Sequence, residues 1–342
     1  MLESDDYNKT GKLMNNDPRL QQLHAWLNQS GIQYLSLEPA SADASFRRYF
    51  RIRLNTGETR VVMDAPPAQE DCKPYVAIDQ LLESAQVHVP HIYNWNEAQG
   101  FMLLSDLGNT PYLSALETAE PDPLYRQAID AIVEMQTIQT SLPAYDAALL
   151  QREMHLFDEW YLGRHLQLSL SQSQQQTLFQ VYEELQHNAL AQPRCFVHRD
   201  YHSRNLMLCP DNNPGVIDFQ DAVIGPVSYD LVSLLKDCYI AWPRHQTLTW
   251  LDYYLQHTPL SPERDEFIQW FDLMGVQRHL KATGIFARLN HRDGKPAYLN
   301  DIPRNLAYIF DTCRRYHQLQ AFAELLVSLD IEPEPERMRQ IQ

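Results

Sequence analysis

One stretch of the sequence, residues 196–205, sets charged and amide side chains in a close order after a short apolar run. It reads Phe196-Val197-His198-Arg199-Asp200-Tyr201-His202-Ser203-Arg204-Asn205. The turn-forming run Pro-Asp-Asn-Asn-Pro-Gly at 210–215 then precedes Val216-Ile217-Asp218-Phe219. Short apolar runs on either side of such a turn predict a hairpin. Asp218 is therefore predicted at the far end of a hairpin that follows the loop of Asp200 and Asn205.

Three of these side chains match the roles that phosphoryl transfer requires. The reaction asks for positioning and for neutralisation of phosphate charge more than for covalent chemistry. Asp200 is placed to accept a hydrogen bond from an attacking hydroxyl and to take its proton. Asn205 and Asp218 offer hard oxygen ligands to Mg²⁺, which usually borrows further oxygens from the phosphates. The spacing predicts a catalytic base and two metal ligands in an ATP- and Mg²⁺-dependent kinase.

The tripeptide His-Arg-Asp occurs a second time, at 291–293. Tyr298 stands where the asparagine should fall, and Gly294 and Pro296 indicate a loop. We interpret this second occurrence as a chance match.

A wider pattern resembles the aminoglycoside phosphotransferase superfamily of small-molecule kinases. It consists of His198-x-Asp200-x-His202-x-x-Asn205, then Ile217-Asp218-Phe219, then Gly225-Pro226-x-x-Tyr229-Asp230-Leu231. Segments 46–51, 62–67, 103–108 and 278–289 more closely resemble the anomeric kinases of N-acetylmuramate and N-acetylglucosamine in bacterial cell-wall recycling. The resemblance spans residues 44 to 305. It implies an α+β, bilobal, protein-kinase-like fold, with an antiparallel-sheet nucleotide-binding lobe (1–104) and a mainly helical catalytic and substrate-binding lobe (105–342).

Periodicity in the amino-terminal part agrees with a sheet. It predicts a helix at 18–27, strands at 34–37, 46–54 and 59–64, and a turn at Asn55-Thr56-Gly57. Residues 41–45 take the place of the Gly-rich phosphate loop but contain no glycine. Where a strand of protein kinases carries Val-Ala-Ile-Lys, this sequence has Val61-Val62-Met63-Asp64. Either a neighbouring arginine replaces the missing lysine, or Asp64 turns toward another partner, or activity is impaired.

The predicted nucleotide-binding residues follow from this comparison, and they are Arg47, Arg48, Val62, Ser105 and Leu107. One of the two arginines is the candidate replacement for the lysine. By resemblance, backbone groups near Ser105 and Leu107 bind the adenine edge. The carboxyl-terminal part has helical length and periodicity at 123–140, 154–168, 173–191, 229–241 and 263–289.

The predicted substrate-binding residues are His202, Arg278, Lys281 and Arg288. Between 278 and 304 six basic residues stand against two acidic ones. This balance suits a neutral or anionic sugar better than a polycationic aminoglycoside, although a solvated basic helix face would give the same pattern. A basic residue of this set is expected to engage the lactyl carboxylate of N-acetylmuramate. Of the remaining polar residues, His198 is expected to orient the loop and Asp230 to hold it.

Other functions remain open at this point. A protein kinase is disfavoured because Asp230 follows Asp218 too soon for a peptide-docking segment. Asp64 in place of lysine would suit a non-catalytic nucleotide-binding module. The histidines of the cluster His198, Asp200 and His202 are also legitimate zinc ligands and would suit a metal-dependent hydrolase. A kinase of another small alcohol or of an aminoglycoside is a further alternative.

Composition limits the partners and the compartment. A net charge of −16 disfavours nucleic acid, whose binding draws on a basic surface. The five cysteines are dispersed without a CxxC pair, which favours reduced thiols in a cytoplasm. No apolar run approaches the roughly 20 residues of a membrane span, and the first residues are acidic and polar. The sequence indicates a cytoplasmic enzyme of a small-molecule substrate, with no obligate protein partner.

Overall fold

The computed structural model of the chain describes residues 17–42, 46–260 and 262–342. The chain divides into two units, one made of residues up to 80 with 90–109, and the other of 81–89 with 110–342. The first unit is built on a five-stranded sheet and the second is mainly helical. This division confirms the predicted α+β class.

The sheet of the first unit is antiparallel throughout and has the strand order β1-β2-β3-β5-β4. Its strands are β1 (Tyr34–Ala42), β2 (Arg48–Leu54), β3 (Thr59–Asp64), β4 (Ile92–Asn96) and β5 (Phe101–Ser105). The predicted turn joins β2 to β3, where Gly57 takes the left-handed φ of 88° that a side chain would disfavour. The register sets Asp64 opposite Arg48, so these two side chains leave the sheet on the same face.

Helix α1 (Pro18–Gln29) covers one face of this sheet. Its start follows local rules, because Asp17 accepts the backbone N–H of Arg19 at 2.9 Å and Pro18 occupies the first turn. Its apolar side packs on strand residues in a core made of Leu20, Leu23, Trp26, Leu27, Phe50, Ile52, Val62, Phe101 and Leu103. Each fully buried side chain of this kind contributes roughly 1.5–3 kcal/mol. The packing places Arg19 near the end of β3.

The second unit consists of helices with two short sheets. The helices are α2 (Lys73–Ser84, which begins in the first unit), α3 (Tyr112–Ala115), α4 (Pro121–Gln136), α5 (Ala147–Leu156), a π-helix (Phe157–His165), α6 (Gln172–Ala191), α7 (Tyr229–Leu235), α8 (Arg244–His257), α9 (Arg264–Asp293), α10 (Ile302–Arg315), α11 (Gln320–Ser328) and α12 (Pro335–Ile341), with 3₁₀ turns at Pro296–Asp301 and His317–Leu319. Strand β6 (Arg194–Val197) pairs with β9 (Val223–Pro226), and β7 (Leu206–Met207) pairs with β8 (Gly215–Val216). The β7–β8 pair is the predicted hairpin.

Helix α9 runs through the centre of the second unit. It packs against α5, the π-helix, α6, α7 and α10, and most of its residues from Phe271 to Ala287 are buried. A Cβ on Gly284 would come within 2.2 Å of the carbonyl carbon of Leu156, so only glycine allows this close approach. The buried stretch of α9 also carries Arg278, His279 and Lys281. Together with Asp272, four ionisable side chains of α9 are thus placed inside the unit.

Several predicted boundaries differ from the structure. The helix expected at 229–241 ends at Leu235, and the one expected at 154–168 is the end of α5 followed by the π-helix. The segment 291–293, expected as a loop, is the last turn of α9 and ends at Gly294 with a φ of 65°. Among the described residues, no helix combines the length and apolar content needed to cross a membrane.

Candidate active site

One buried carboxylate accepts hydrogen bonds from the backbone of the loop that follows β6. Asp230, in the first turn of α7, accepts the backbone N–H of His198 at 2.7 Å and of Arg199 at 3.0 Å. The ring of His198 bonds to the carbonyl of Ile217 at 3.1 Å and accepts the N–H of Asp200 at 3.2 Å. These contacts confirm that Asp230 holds the loop and that His198 orients it.

Asp200, Asn205 and Asp218 lie together at the end of the β7–β8 hairpin. The side-chain amide of Asn205 donates to the backbone carbonyl of Asp200 at 2.9 Å and to Oδ2 of Asp218 at 3.2 Å. Gln220 donates to Oδ1 of Asp218 at 2.9 Å. Asp218 has a φ of 65°, a strained conformation for a residue other than glycine that is commonly found at functional sites. The structure therefore brings the three residues together as the spacing predicted.

Asp200 is surrounded by cations. Burial alone would raise the pKa of this carboxyl, but Lys281 foremost, with Arg278 and Arg199, lowers it to about 2. Asp200 is consequently ionised at neutral pH, the form that accepts a hydrogen bond from a hydroxyl.

Two of these cations meet at Glu153, a buried residue of α5. Oε1 of Glu153 lies 2.5 Å from Nη2 of Arg199 and 3.0 Å from Nζ of Lys281, and its other oxygen accepts the hydroxyl of Tyr145. Lys281 also donates to the hydroxyl of Tyr229 at 3.1 Å. Burial would raise the pKa of Glu153, but Lys281 and Arg199 lower it. Glu153 thus anchors both cations beside Asp200, a role that the sequence did not indicate.

The predicted substrate residues separate into two places. His202 and Arg278 are electrostatic neighbours of Asp200, and each keeps a buried ring or guanidinium nitrogen without a hydrogen-bond partner among the described residues. Burial lowers the pKa of His202 to about 4, so its ring is neutral at pH 7. Arg278 also donates to the sulfur of Cys238 at 3.3 Å. Arg288, by contrast, is half-buried further along α9, where its charged neighbours are Arg292, Asp293 and Glu159.

The zinc alternative does not fit these contacts. Both ring nitrogens of His198 are engaged, one by the Ile217 carbonyl and the other by the Asp200 amide. No group of three or more His, Cys, Asp or Glu within the described ranges is arranged to hold a metal ion. The oxygen pair of Asn205 and Asp218 matches the hard ligands that Mg²⁺ takes when phosphates supply the others.

The carboxylate in place of the strand lysine is neutralised inside the first unit. Asp64 is fully buried and accepts Nε of Arg48 at 3.0 Å and Nε of Arg19 at 3.1 Å. Arg48 is also paired with Asp17. The sequence raised three possibilities for Asp64. The structure shows that its carboxylate turns toward other partners, because it forms ion pairs with Arg19 and Arg48.

The other predicted nucleotide-binding residues also lie in the first unit. Arg47 is buried and pairs with Glu70 at 3.2 Å, and Val62 is buried in β3. Ser105 ends β5, and its N–H donates to the carbonyl of His91 at 2.9 Å. Of the predicted phosphate loop, residues 43–45 lie outside the described residues.

The segment around Leu107 is held by one arginine. Arg51 forms a paired contact with Asp106 at 2.6 and 2.9 Å and reaches the carbonyl of Gly108 at 2.8 Å. Arg51 of strand β2 therefore holds the side chain of Asp106 and the backbone of Gly108, the two neighbours of Leu107.

Known proteins resemble this chain in sequence along most of its length. A sequence profile of the phosphotransferase enzyme family matches residues 36–267. A protein of Pseudomonas putida named N-acetylmuramate/N-acetylglucosamine kinase is 48% identical over 331 residues, which cover 92% of this chain and 97% of that protein. A protein of the same name from Neisseria meningitidis is 44% identical over 302 residues, which cover 85% and 89% respectively.

Solved structures share the fold at low sequence identity. An aminoglycoside phosphotransferase with bound ADP matches 85% of this chain and 98% of its own with a TM-score of 0.59 and 16% identity. A choline kinase from Streptococcus pneumoniae matches 85% and 99% with a TM-score of 0.63 and 12% identity. These likenesses confirm the predicted protein-kinase-like fold.

Proposed function

Because this chain belongs to the phosphotransferase enzyme family and is a small-molecule kinase, we propose that it phosphorylates N-acetylmuramate, N-acetylglucosamine or both at the anomeric C1 hydroxyl, with ATP as donor. The observation that carries the choice of substrate is the name shared by relatives at 44–48% identity over most of both chains. The reaction would serve peptidoglycan recycling. ATP as donor and five cysteines dispersed along the chain suit a cytoplasmic enzyme.

Asp200 acts as the base in this proposal. Its carboxylate is ionised, and its loop is fixed by the hydrogen bonds that backbone N–H groups donate to Asp230 and to the ring of His198. An anomeric hydroxyl is more acidic than an ordinary sugar alcohol. A carboxylate can therefore assist its attack without the raised pKa that a weaker acid would demand.

Asn205 and Asp218 are proposed to hold Mg²⁺. The amide nitrogen of Asn205 is turned to Asp200 and Asp218, so its amide oxygen remains as a ligand. Bound Mg²⁺ would neutralise charge on the phosphates of ATP. The protein's own part is to keep these two oxygen ligands beside the base.

For the nucleotide we retain Arg47, Arg48, Val62, Ser105 and Leu107 as proposed contacts. Arg48 shares its guanidinium between Asp64 and Asp17, and Arg47 pairs with Glu70. A phosphate contact by either arginine would therefore compete with an ion pair that the structure already contains. His202 and Arg278 are proposed to face the acceptor, since each keeps a buried polar nitrogen near Asp200.

The test is the product formed with each sugar. Incubation with ATP, Mg²⁺ and either sugar should yield a phosphate whose ³¹P signal couples to the anomeric proton. Phosphorylation of some other alcohol, with neither sugar reacting, would refute the substrate and leave the kinase activity intact.

A matched variant tests the base. Asp200→Asn should lower kcat on the order of 10²-fold to 10⁴-fold while ATP still binds, because the base meets the acceptor and not the nucleotide. Near-normal kcat in this variant would remove Asp200 from the mechanism.

A further inference from the structure

Arg204, on the loop of Asp200 and beside Asn205, has the carboxylate of Asp301 as an electrostatic neighbour but forms no ion pair within 4 Å in the described part of the chain. It differs in this from Arg199 and Lys281, which both meet Glu153. Its side chain is exposed, and its guanidinium carbon lies 3.5 Å from the ring centre of Tyr239. A guanidinium stacked on a ring still has N–H donors at its edge for an anion.

The placement of Arg204 is fixed by one buried carboxylate. Asp237 accepts the backbone N–H of Ser203 at 2.8 Å and that of Tyr239 at 2.8 Å. Ser203, which precedes Arg204, and Tyr239, whose ring supports the guanidinium, are therefore both hydrogen-bonded to Asp237. A cation held in this way loses less conformational entropy when it binds an anion than a free surface arginine does.

Aromatic rings connect Arg204 with the acceptor side of the site. The ring of Tyr239 meets His202 edge-on at 5.2 Å and lies 6.0 Å from Phe286, which stacks on Tyr298 at 5.5 Å. Arg204 lies 5.8 Å from the ring centre of Tyr298 as well. Ring faces offer apolar surface to the C–H groups of a pyranose. His202, at one end of this row, has a buried ring nitrogen that no described residue hydrogen-bonds.

We propose that Arg204, supported by Tyr239, binds a carboxylate on the acceptor sugar and thereby favours N-acetylmuramate over N-acetylglucosamine. This inference rests on the proposed function and names the residue that discriminates between its two substrates. The lactyl carboxylate is the charged group that N-acetylmuramate has and N-acetylglucosamine lacks. A planar guanidinium matches a carboxylate with two parallel hydrogen bonds. Lys281, considered for this contact from the sequence, already pairs with Glu153.

The experiment compares kcat/KM for both sugars in the wild type, Arg204→Gln and a control. Arg264→Gln is the matched control, because Arg264 is an exposed arginine of α9 that pairs with Asp252. Arg204→Gln should lose about tenfold or more on N-acetylmuramate and change less than about twofold on N-acetylglucosamine. KM for ATP and the melting temperature should stay at wild-type values. Tyr239→Leu, which removes the supporting ring, should show the same selective loss.

Other results would overturn the inference. Equal losses on both sugars would give Arg204 a general role in the loop. A raised KM for ATP would place it at the nucleotide. Unchanged activity on N-acetylmuramate, or a wild type that phosphorylates N-acetylglucosamine alone, would also refute the contact. A wild type that phosphorylates neither sugar would refute the proposed function first, and the inference with it, before any variant is compared.

Discussion

Replacing Glu153 by glutamine should destabilise the protein through the two cations that it anchors. The substitution keeps the size of the side chain and removes its charge. Arg199 and Lys281 would then lie inside the second unit without their carboxylate, which approaches them at 2.5 and 3.0 Å. Removing one partner from a buried ion pair costs about 3–5 kcal/mol, because the remaining charge stays buried. For a unit of this size, that loss corresponds to a melting temperature about 6–20 °C lower.

Thermal and urea unfolding of the purified variants measure this loss, and Tyr145→Phe is the control. Its phenyl ring keeps the shape of the site and removes the hydroxyl that bonds to Glu153, so the charges stay balanced. Its cost should be about 1–2 kcal/mol. The double variant Glu153→Gln with Lys281→Met should lose less than the sum of the single variants, because one unpaired cation is gone.

The loss should also depend on pH with a definite sign. The pKa of Glu153 is depressed in the folded protein, so its contribution is present above the unfolded value of about 4.3 and is lost as pH falls through the folded pKa. Wild type and Glu153→Gln should therefore converge on acidification below about pH 4. A difference under about 1 kcal/mol at pH 7, or strict additivity in the double variant, would refute the anchoring role.

Three further predictions follow from contacts in the second unit. Asp218→Ala should abolish the Mg²⁺ dependence of nucleotide affinity in titration calorimetry, and unchanged affinity with and without Mg²⁺ would contradict its role as a ligand. Asp272→Asn should lower stability by about 3–5 kcal/mol at pH 7, since Asp272 is buried between Lys236 and Arg244 at 2.8 and 2.7 Å. Burial would raise the pKa of Asp272, but Lys236 and Arg244 hold it far below its usual range, so this contribution should be lost only as pH falls well below the unfolded value of about 3.9. Gly284→Ala should lower the melting temperature clearly, because the added methyl group meets the backbone of Leu156; an unchanged value would show that α9 can shift.

The arrangement of the candidate catalytic loop, residues 196–205, was predictable because each proposed role demands particular residue types within a short segment. The positions of Asp200, Asn205 and Asp218 depend on the β7–β8 hairpin. The turn-forming residues at 210–215 indicated that hairpin in the sequence. The supporting roles of His198 and Asp230 followed from the same motif. The resemblance to kinases of N-acetylmuramate and N-acetylglucosamine is confirmed by relatives of that name that match most of the chain.

Glu153 could not be found in this way. It contacts Arg199, 46 residues away in sequence, and nothing near it in the chain distinguishes it from a solvated glutamate on a helix. The partners of Asp64 were equally hidden, because Arg19 reaches it across 45 residues from another element. Long-range ion pairs carry no local periodicity.

Some helix boundaries failed for a related reason. The periodic pattern continues beyond Leu235, but Lys236 and Asp237 turn toward Asp272 and toward the backbone of Ser203 and Tyr239. The change from α5 to the π-helix comes directly after Leu156, the residue that Gly284 approaches. Tertiary contacts decided these ends, and local propensity did not.

The aspartate at position 64 has a consequence for chemical labelling. Amine-directed electrophiles carried by nucleotide analogues depend on the strand lysine that other kinases place near the phosphates. In this chain the strand has the carboxylate of Asp64, which contacts the guanidinium groups of Arg19 and Arg48. Carboxylates and guanidinium groups are not acylated readily. Between residues 17 and 109 the one lysine is Lys73, which pairs with Glu97 at 2.9 Å on the surface. A probe aimed at the strand lysine of kinases would therefore find no amine at position 64, and a covalent ligand directed to this strand would need a different reactive group.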